Sequence, residues 1–287
     1  VRRALALAAV ATALAFGCAR GPARPPDPTR AAPGADSVTV ALWRFDEPVG
    51  SRCPDAGPFR LDATAGAGTS GGFGRFSGAR EFTRVIDSFV YVPYNPVLDT
   101  PIVTVEAWVL MHAFGQYEDT PIAARWTEEG SQQSWLFGIV GAKLQPPAAR
   151  LPSPGFHASL VTSGLSGQVM FAFQPAEASQ PRAFFSATRL QPERWTHIAA
   201  SFDGEVARIF IGGRLDAQYA TRGRIQSSQA PLLIGNYFNT RRLTAFSGEL
   251  RMDPGGDDNP YYALEGMIDE LRISSTARSE FPGVVGR

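Results

Sequence analysis

The segment RWTHIAASFDGEVARIFIGGR, Arg194 to Arg214, constrains the fold more than any other part of this chain. Ile198, Ala200 and Phe202 alternate onto one face, and Asp203-Gly204 supplies the positive-φ positions of a tight strand reversal. Val206 to Ile211 is β-branched and aromatic enough to return antiparallel, after which Gly212-Gly213 turns the chain toward a third strand over Leu215 to Tyr219. Such a meander belongs to an all-β protein. Short apolar or alternating runs place further strands at Val38 to Phe45, Phe89 to Val92, Val103 to Met111, Trp135 to Val140, Val169 to Phe173, Ala183 to Ala187, Leu232 to Ile234 and Met267 to Ile273. Val103, Val105, Ala107, Val109 and Met111 share one side, the pattern of a sandwich strand. No helical period with caps interrupts them. No repeat at fixed spacing is present, which disfavours a propeller or solenoid.

The N-terminal residues are read apart from this fold. Arg2 and Arg3 precede an uncharged run, Ala4 to Phe16, too short to span a bilayer and of the length of a secretory h-region. Residues 1–18 are read as a signal peptide. It ends at Ala15-Phe16-Gly17-Cys18, which resembles a bacterial lipobox and makes Cys18 the candidate acylation site; Ala15 in place of the usual leucine keeps ordinary cleavage open. Acylation would anchor the protein at the outer membrane or cell surface without a membrane span, and ordinary cleavage would leave it periplasmic or secreted. Residues 19–36 hold five prolines and almost no large apolar side chain, so they form a disordered linker. Extended at roughly 3 Å per residue, it would reach on the order of 50 Å. Residues 37–287 are the folded domain. Setting Arg2 and Arg3 aside leaves 25 basic residues against 27 acidic, so the charge carries no nucleic-acid footprint. With Cys18 assigned to lipid, Cys53 is left single and is read as a small buried hydrophobe.

A set of motifs then occurs in order: ALWRFDEPVG (Ala41 to Gly50), GGFGRFSGAREF (Gly71 to Phe82), TVEAWV (Thr104 to Val109), RWTHIAASFDG (Arg194 to Gly204), RIFIGG (Arg208 to Gly213), LLIGN (Leu232 to Asn236) and LEGMIDELRIS (Leu264 to Ser274). Together they resemble the laminin-G-like jelly roll of the concanavalin A-like lectin and glucanase superfamily. The resemblance implies an all-β, two-sheet antiparallel sandwich with one concave face. It also implies that the opening hairpin, with Trp195, His197 and Asp203, is scaffold. Related jelly rolls often hold a calcium ion with acids near the first and last strands, so Asp46 and Asp269 are candidate ligands, with Asp62 as a third. By period two Asp269 shares its face with Met267, Leu271 and Ile273, where an unpaired charge is costly. A calcium ion or pairing with an arginine or backbone amides would neutralise it equally well.

The superfamily contains binders and hydrolases. A glycosidase needs two carboxylates flanking the scissile bond, and the glucanases' Glu-x-Asp string is missing: Glu106 has Thr104 and Trp108 as its alternate neighbours. His112, His157 and His197 are dispersed, without HExxH or a nucleophile elbow. The stretch MDPGGDDNPYY gathers Asp257, Asp258, Asn259, Tyr261 and Tyr262. This is a composition suited to sugar binding, and turn chemistry alone explains it as well. Trp126 and Trp135, with Arg125 nearby, are further candidate sugar platforms, while Trp43, Trp108 and Trp195 read as core. The expectation is a non-catalytic, surface-exposed module that binds a glycan or cell-envelope polysaccharide. The alternatives are an adhesion or scaffold protein that binds another protein and, third, a divergent glycoside hydrolase. Neither nucleic acid nor a cofactor other than calcium is expected.

Overall fold

The computed structural model describes residues 32–284 apart from 49, 117–118, 128–131, 143, 145–163, 238–242, 247–248 and 253–261. In chain order its strands are β1 (Thr39–Trp43), β2 (Arg52–Cys53), β3 (Ala63–Ala65), β4 (Thr69–Phe73), β5 (Gly78–Thr83), β6 (Val90–Val92), β7 (Val103–Ala113), β8 (Thr120–Trp126), β9 (Gln133–Ile139), β10 (Gln168–Phe173), β11 (Arg182–Arg189), β12 (Thr196–Phe202), β13 (Val206–Ile211), β14 (Arg214–Ala220), β15 (Leu232–Ile234), β16 (Leu243–Phe246), β17 (Glu249–Met252) and β18 (Glu265–Ser274). One sheet runs β14-β13-β12-β7-β18-β5-β4, with β1 also on β18. The other runs β11-β10-β9-β8-β15-β6-β3-β2, and β16 pairs β17 in a small separate ribbon. Every pairing between named strands is antiparallel. The architecture is the two-sheet sandwich that the motifs implied.

The inner faces close on one another through alternating side chains. β7 sends Val103, Val105, Ala107, Val109 and Met111 into the same core as Trp135, Phe137 and Ile139 of β9 and Val169, Phe171 and Phe173 of β10. Each such aromatic or branched side chain, fully withdrawn from water, contributes about 2 to 3 kcal/mol. Phe173 stands 4.5 Å ring to ring from Phe202 of β12, joining the sheets directly. Cys53 is completely buried, and burial pushes its thiol up to about 11, in keeping with the role of a small hydrophobe.

Two features depart from the sequence pattern. β8 carries no alternating signal, because all seven of its residues are buried, and Pro121 reads as a strand breaker. Pro121 sits where the register against β9 shifts, a position where a missing N–H is tolerated. The second departure is in β18. Its register against β7 shifts between Asp269 and Arg272, and Glu270 takes φ 52°. This bulge breaks the period of two: Ile268, Leu271 and Ile273 enter the core, and Asp269 does not share their face. It is nevertheless fully buried, under the turn at Arg75 and Phe76 whose N–H groups it accepts.

Gly235, in LLIGN, shows how tightly the sheets are joined. It has φ +73°, and a Cβ there would stand 2.2 Å from Phe82 Cε1. Its N–H donates to Ile122 O and its carbonyl accepts from Leu264 N. Gly235→Ala is expected to lower stability by about 2 to 4 kcal/mol through backbone strain and overpacking, read as a fall in the urea midpoint without a change in slope.

Candidate functional site

Where the chain crosses from β11 in one sheet to β12 in the other, it leaves an open cleft of about 460 Å³. The end of β11 supplies Thr188 and Arg189, the crossover supplies Gln191, Arg194 and Trp195, and β12 begins with Thr196 and His197. Leu190 beside them, Trp108 of β7, Ile211 and Gly212 at the β13 turn, and Arg75 from the β4–β5 turn complete its wall. Three arginines and two indoles line it, and no lining residue is acidic. The nearest carboxylates along the chain are engaged. Glu193 lies 3.1 Å from His112 Nδ1, and Asp216 accepts the backbone N–H groups of Ala187 and Thr188. Arg75 stacks its guanidinium 5.0 Å from the Trp108 ring centroid, a cation–π contact. Arg189 Nε donates to Ser166 O at 2.6 Å. The indole N–H groups of Trp108 and Trp195 are buried without a hydrogen-bond partner.

Behind this wall lies a charged network on the outer face of the β7 sheet. In register, β7 puts Trp108 between His197 of β12 and Asp269 of β18, and Glu106 between Ala199 and Arg272. Glu106 accepts from His197 Nε2 at 2.9 Å and from Arg272 Nε at 2.5 Å, and pairs with Arg272 Nη2. Since an ionised carboxylate only accepts, Nε2 must carry the imidazole proton. Burial acts to raise the Glu106 carboxyl, but His197 and Arg272 outweigh it and hold the group below its usual range. The C-terminal segment covers this network. The Phe281 ring packs 5.1 Å from His197 and 5.0 Å from Phe210.

The bulge buries two more acids. Asp269 Oδ2 accepts from the backbone N–H groups of Arg75 and Phe76 at 2.7 and 3.1 Å, while Oδ1 has no hydrogen-bond partner. Burial, reinforced by the charge of nearby Asp46, pushes this carboxyl up to about 7. Glu270 pairs with Arg44 at 2.9 Å, yet burial and Asp269 push it up to about 8. Asp46 accepts from Gly78 N at 2.8 Å.

The sequence-derived candidates separate under this geometry. Trp126 and Trp135 are each 1% exposed and Arg125 is fully buried, so none is a platform for a ligand. Trp135 packs between the sheets and Trp126 packs with Leu136, Met170 and Tyr237. Arg125 is a crosslink, donating to Leu98 O, Asp99 Oδ1 and Ser228 O. Asp62 is occupied by Arg52 and by the N–H of Asp55, so it does not join Asp46 and Asp269. Among the described residues no three His, Cys, Asp or Glu side chains converge as a metal site. Asp257, Asp258, Asn259 and Tyr261 lie outside the described residues, as does Cys18. Tyr262 is half-buried, its ring 5.6 Å from that of Tyr237. The cleft instead uses Arg189, Arg194 and Trp195, residues of the hairpin and its approach. The available signal was the run of arginine and tryptophan at a crossover, which periodicity does not score.

A laminin-G-type family model, described as the concanavalin A-like lectin/glucanases superfamily, matches residues 86–280. The chain belongs to this superfamily. The lectin/glucanase fold also appears in solved structures of low identity. The binding domain of Paraclostridial Mosquitocidal Protein 1 aligns with TM-score 0.55 and 11% identity over 84% of this chain and 49% of that one. Domain 4 of an extracellular arabinanase from Geobacillus stearothermophilus, solved with arabinotriose, aligns with TM-score 0.52 and 16% identity over 84% and 93%. A structure of botulinum neurotoxin type C, whose cell entry depends on interaction with two ganglioside molecules, gives 0.53 and 11% over 86% and 49%. The chain thus spans about half the length of the toxin structures. No curated protein sequence matches it.

The Glu106 network gives a pH prediction. A folded-state pKa below the unfolded value means that the unfolded chain takes up the proton first, so this stabilisation is present above about pH 4.5 and lost as the pH falls through the folded value. Glu106→Gln, which leaves Arg272 buried beside a neutral amide, is expected to cost about 3 to 5 kcal/mol at pH 7. The gap to the unsubstituted protein should narrow at pH 3 in urea titrations, and an equal gap at both values would refute the assignment.

Proposed function

We propose that this protein is a non-catalytic carbohydrate-binding module whose sugar site is the cleft at the β11–β12 crossover. The observation that carries the reading is the composition of that wall: the half-buried ring of Trp195 beside the hydrogen-bonding side chains of Thr188, Gln191, Thr196 and the arginines. Aromatic rings take up the apolar faces of sugars, and a few placed polar groups fix their hydroxyls. Hydrolysis of a glycoside calls for two carboxyl groups across the bond, and the lining of this cleft offers none. The arabinotriose on the Geobacillus domain and the gangliosides named for the neurotoxin support a glycan as partner.

Calcium belongs to the proposal in a narrower form than the three-acid set. Asp46 and Asp269 would hold the ion, with Asp269 Oδ1, buried and without a hydrogen-bond partner, as the oxygen best explained by it. A divalent cation there would supply the charge that keeps both carboxylates ionised. Export and acylation at Cys18 complete the reading and place the module at the cell surface. Metabolic labelling with palmitate is expected to mark the full chain and to miss Cys18→Ser.

A glycan array run with the full chain, with and without EDTA, tests the central claim. Binding is expected to a defined set of glycans, to weaken about 10- to 100-fold in Trp195→Ala, and to fall with chelator if calcium orders the Asp269 loop. Capture of one envelope protein with an empty array would instead select the adhesion reading, and turnover of any bound polysaccharide would remove the non-catalytic claim.

A further inference from the structure

The cleft carries more charge than recognition of a neutral sugar requires. The whole chain is formally neutral, yet Arg75, Arg189 and Arg194 meet across about 460 Å³ with no acidic side chain in the wall. In a neutral protein such a local excess attracts anions. The arginines come from three separate places, the β4–β5 turn, the end of β11 and the crossover, so no single local sequence bias brings them together. Two of them are fixed. Arg189 is tethered through Nε to Ser166 O. Arg75 lies against the Trp108 ring, with its backbone N–H held by Asp269. A guanidinium fixed in this way presents a planar fork of donors matched to an oxyanion, at a lower entropic cost than a free side chain.

We infer that the cleft is a site for acidic glycans, in which Arg189 and Arg194 bind a carboxylate or sulfate group while Trp195 packs on the ring that carries it. The inference rests on the carbohydrate reading above and names its ligand class. A long polyanion such as nucleic acid is the poorer match. The chain as a whole has no basic excess, whereas a nucleic-acid footprint calls for one. Asp269 acts here as a positioning residue, since its carboxylate holds the turn that lays Arg75 on Trp108.

The test is calorimetry on the full chain with two matched pairs of probes. Tetragalacturonate and its methyl ester differ in carboxylate charge and the ester methyls; a κ-carrageenan tetrasaccharide and its desulfated form differ only in sulfate. At least one charged form is expected to bind about 10-fold or more tightly than its neutral partner, and the pair that responds identifies the anion. The preference should vanish in Arg189→Ala/Arg194→Ala, while Trp195→Ala weakens both members of the pair alike. Arg189 and Arg194 are exposed, so these variants should fold, which an unchanged melting curve checks. Arg222→Ala, at an exposed arginine outside the cleft, should change nothing. Equal affinity for charged and neutral partners overturns the charge inference and leaves the sugar reading standing. So does silence of both pairs alongside a neutral hit on the array. Silence throughout removes the sugar reading itself. Binding of a single-stranded oligothymidylate as tight as the charged tetrasaccharide, and unmoved by Trp195→Ala, would mean that the cleft reads charge alone and would also overturn the inference.

Discussion

The bulge at Asp269 and Glu270 is the point on which this molecule's arrangement depends. β18 uses one edge for two partners, pairing with β5 through Glu265 to Ile268 and with β1 from Leu271 to Ser274. The bulge lies between them. Without the extra residue, the alternation that puts Ile268 in the core would continue to Glu270 and expel Leu271. With it, Ile268 and Leu271 both face inward, at the cost of a non-glycine residue at φ 52° and two buried acids. That strain of order 1 to 3 kcal/mol persists because sheet pairing on both edges leaves the strand no alternative. The consequence extends outward. Asp269 is withdrawn from water by the β4–β5 turn, whose N–H groups it binds, and a Cβ on Gly74 would stand 2.7 Å from its Oδ2. The same turn delivers Arg75 to Trp108. A defect in strand alternation thus reaches the wall of the cleft in two steps.

The ionic group on the outer face of that sheet follows a different logic. Glu106, His197 and Arg272 come from three adjacent strands, and replacing such a buried set with apolar residues is commonly neutral or stabilising. Its contribution here is better understood as register. Glu106 can meet both partners only when β12, β7 and β18 are aligned as found, because a one-residue slip turns each side chain to the opposite face. The C-terminal segment then seals the group with Phe281, and Thr104 Oγ1 bridges that segment by donating to Thr276 O and accepting from Arg278 N. Trp108 stands at the boundary, with His197 on one side and the open cleft on the other. The network therefore holds the ring that the cleft presents.

The sequence made the sandwich legible because its strongest strands obey period two. β7, the β12–β13 hairpin and β15 lie where alternation and turn glycines put them. β8 was missed because both its faces are buried and Pro121 interrupts it, and β2 to β5 because strands of two to six residues, two of them rich in glycine or small residues, carry almost no hydrophobic period. Asp269 was identified as a costly buried charge, but its face was misassigned, since a period cannot anticipate a bulge. The tryptophans failed in the opposite direction. Trp126 and Trp135, with Arg125 nearby, looked like platforms and are buried, whereas Trp195 looked like core and is half-buried, packed on the cluster around Trp108 and open to the cleft on its other side. Residue type and local pattern do not determine which indole ends in the interior. That depends on which strands lie above it, a long-range fact set by sheet order.

A site at a crossover also explains how a shared scaffold and a particular specificity can coexist. The side chains that close the sandwich are fixed by packing, since removing even a few methylene groups from such a core is felt throughout it. The ends of β11 and the approach to β12 are under no such demand. They must connect the two sheets, and their outward positions are open to residues that chemistry rather than packing selects. Arg189 and Arg194 are exposed and contribute little to the core, yet β11 and β12 hold their backbone rigidly. Rigid backbone with unconstrained side-chain choice is the combination that recognition requires, because it presents donors at fixed spacing without altering what holds the fold together. The hairpin from Arg194 to Arg214 serves both purposes at once: its inward residues build the sandwich, and its first residues, where the strand has not yet begun, line the cleft.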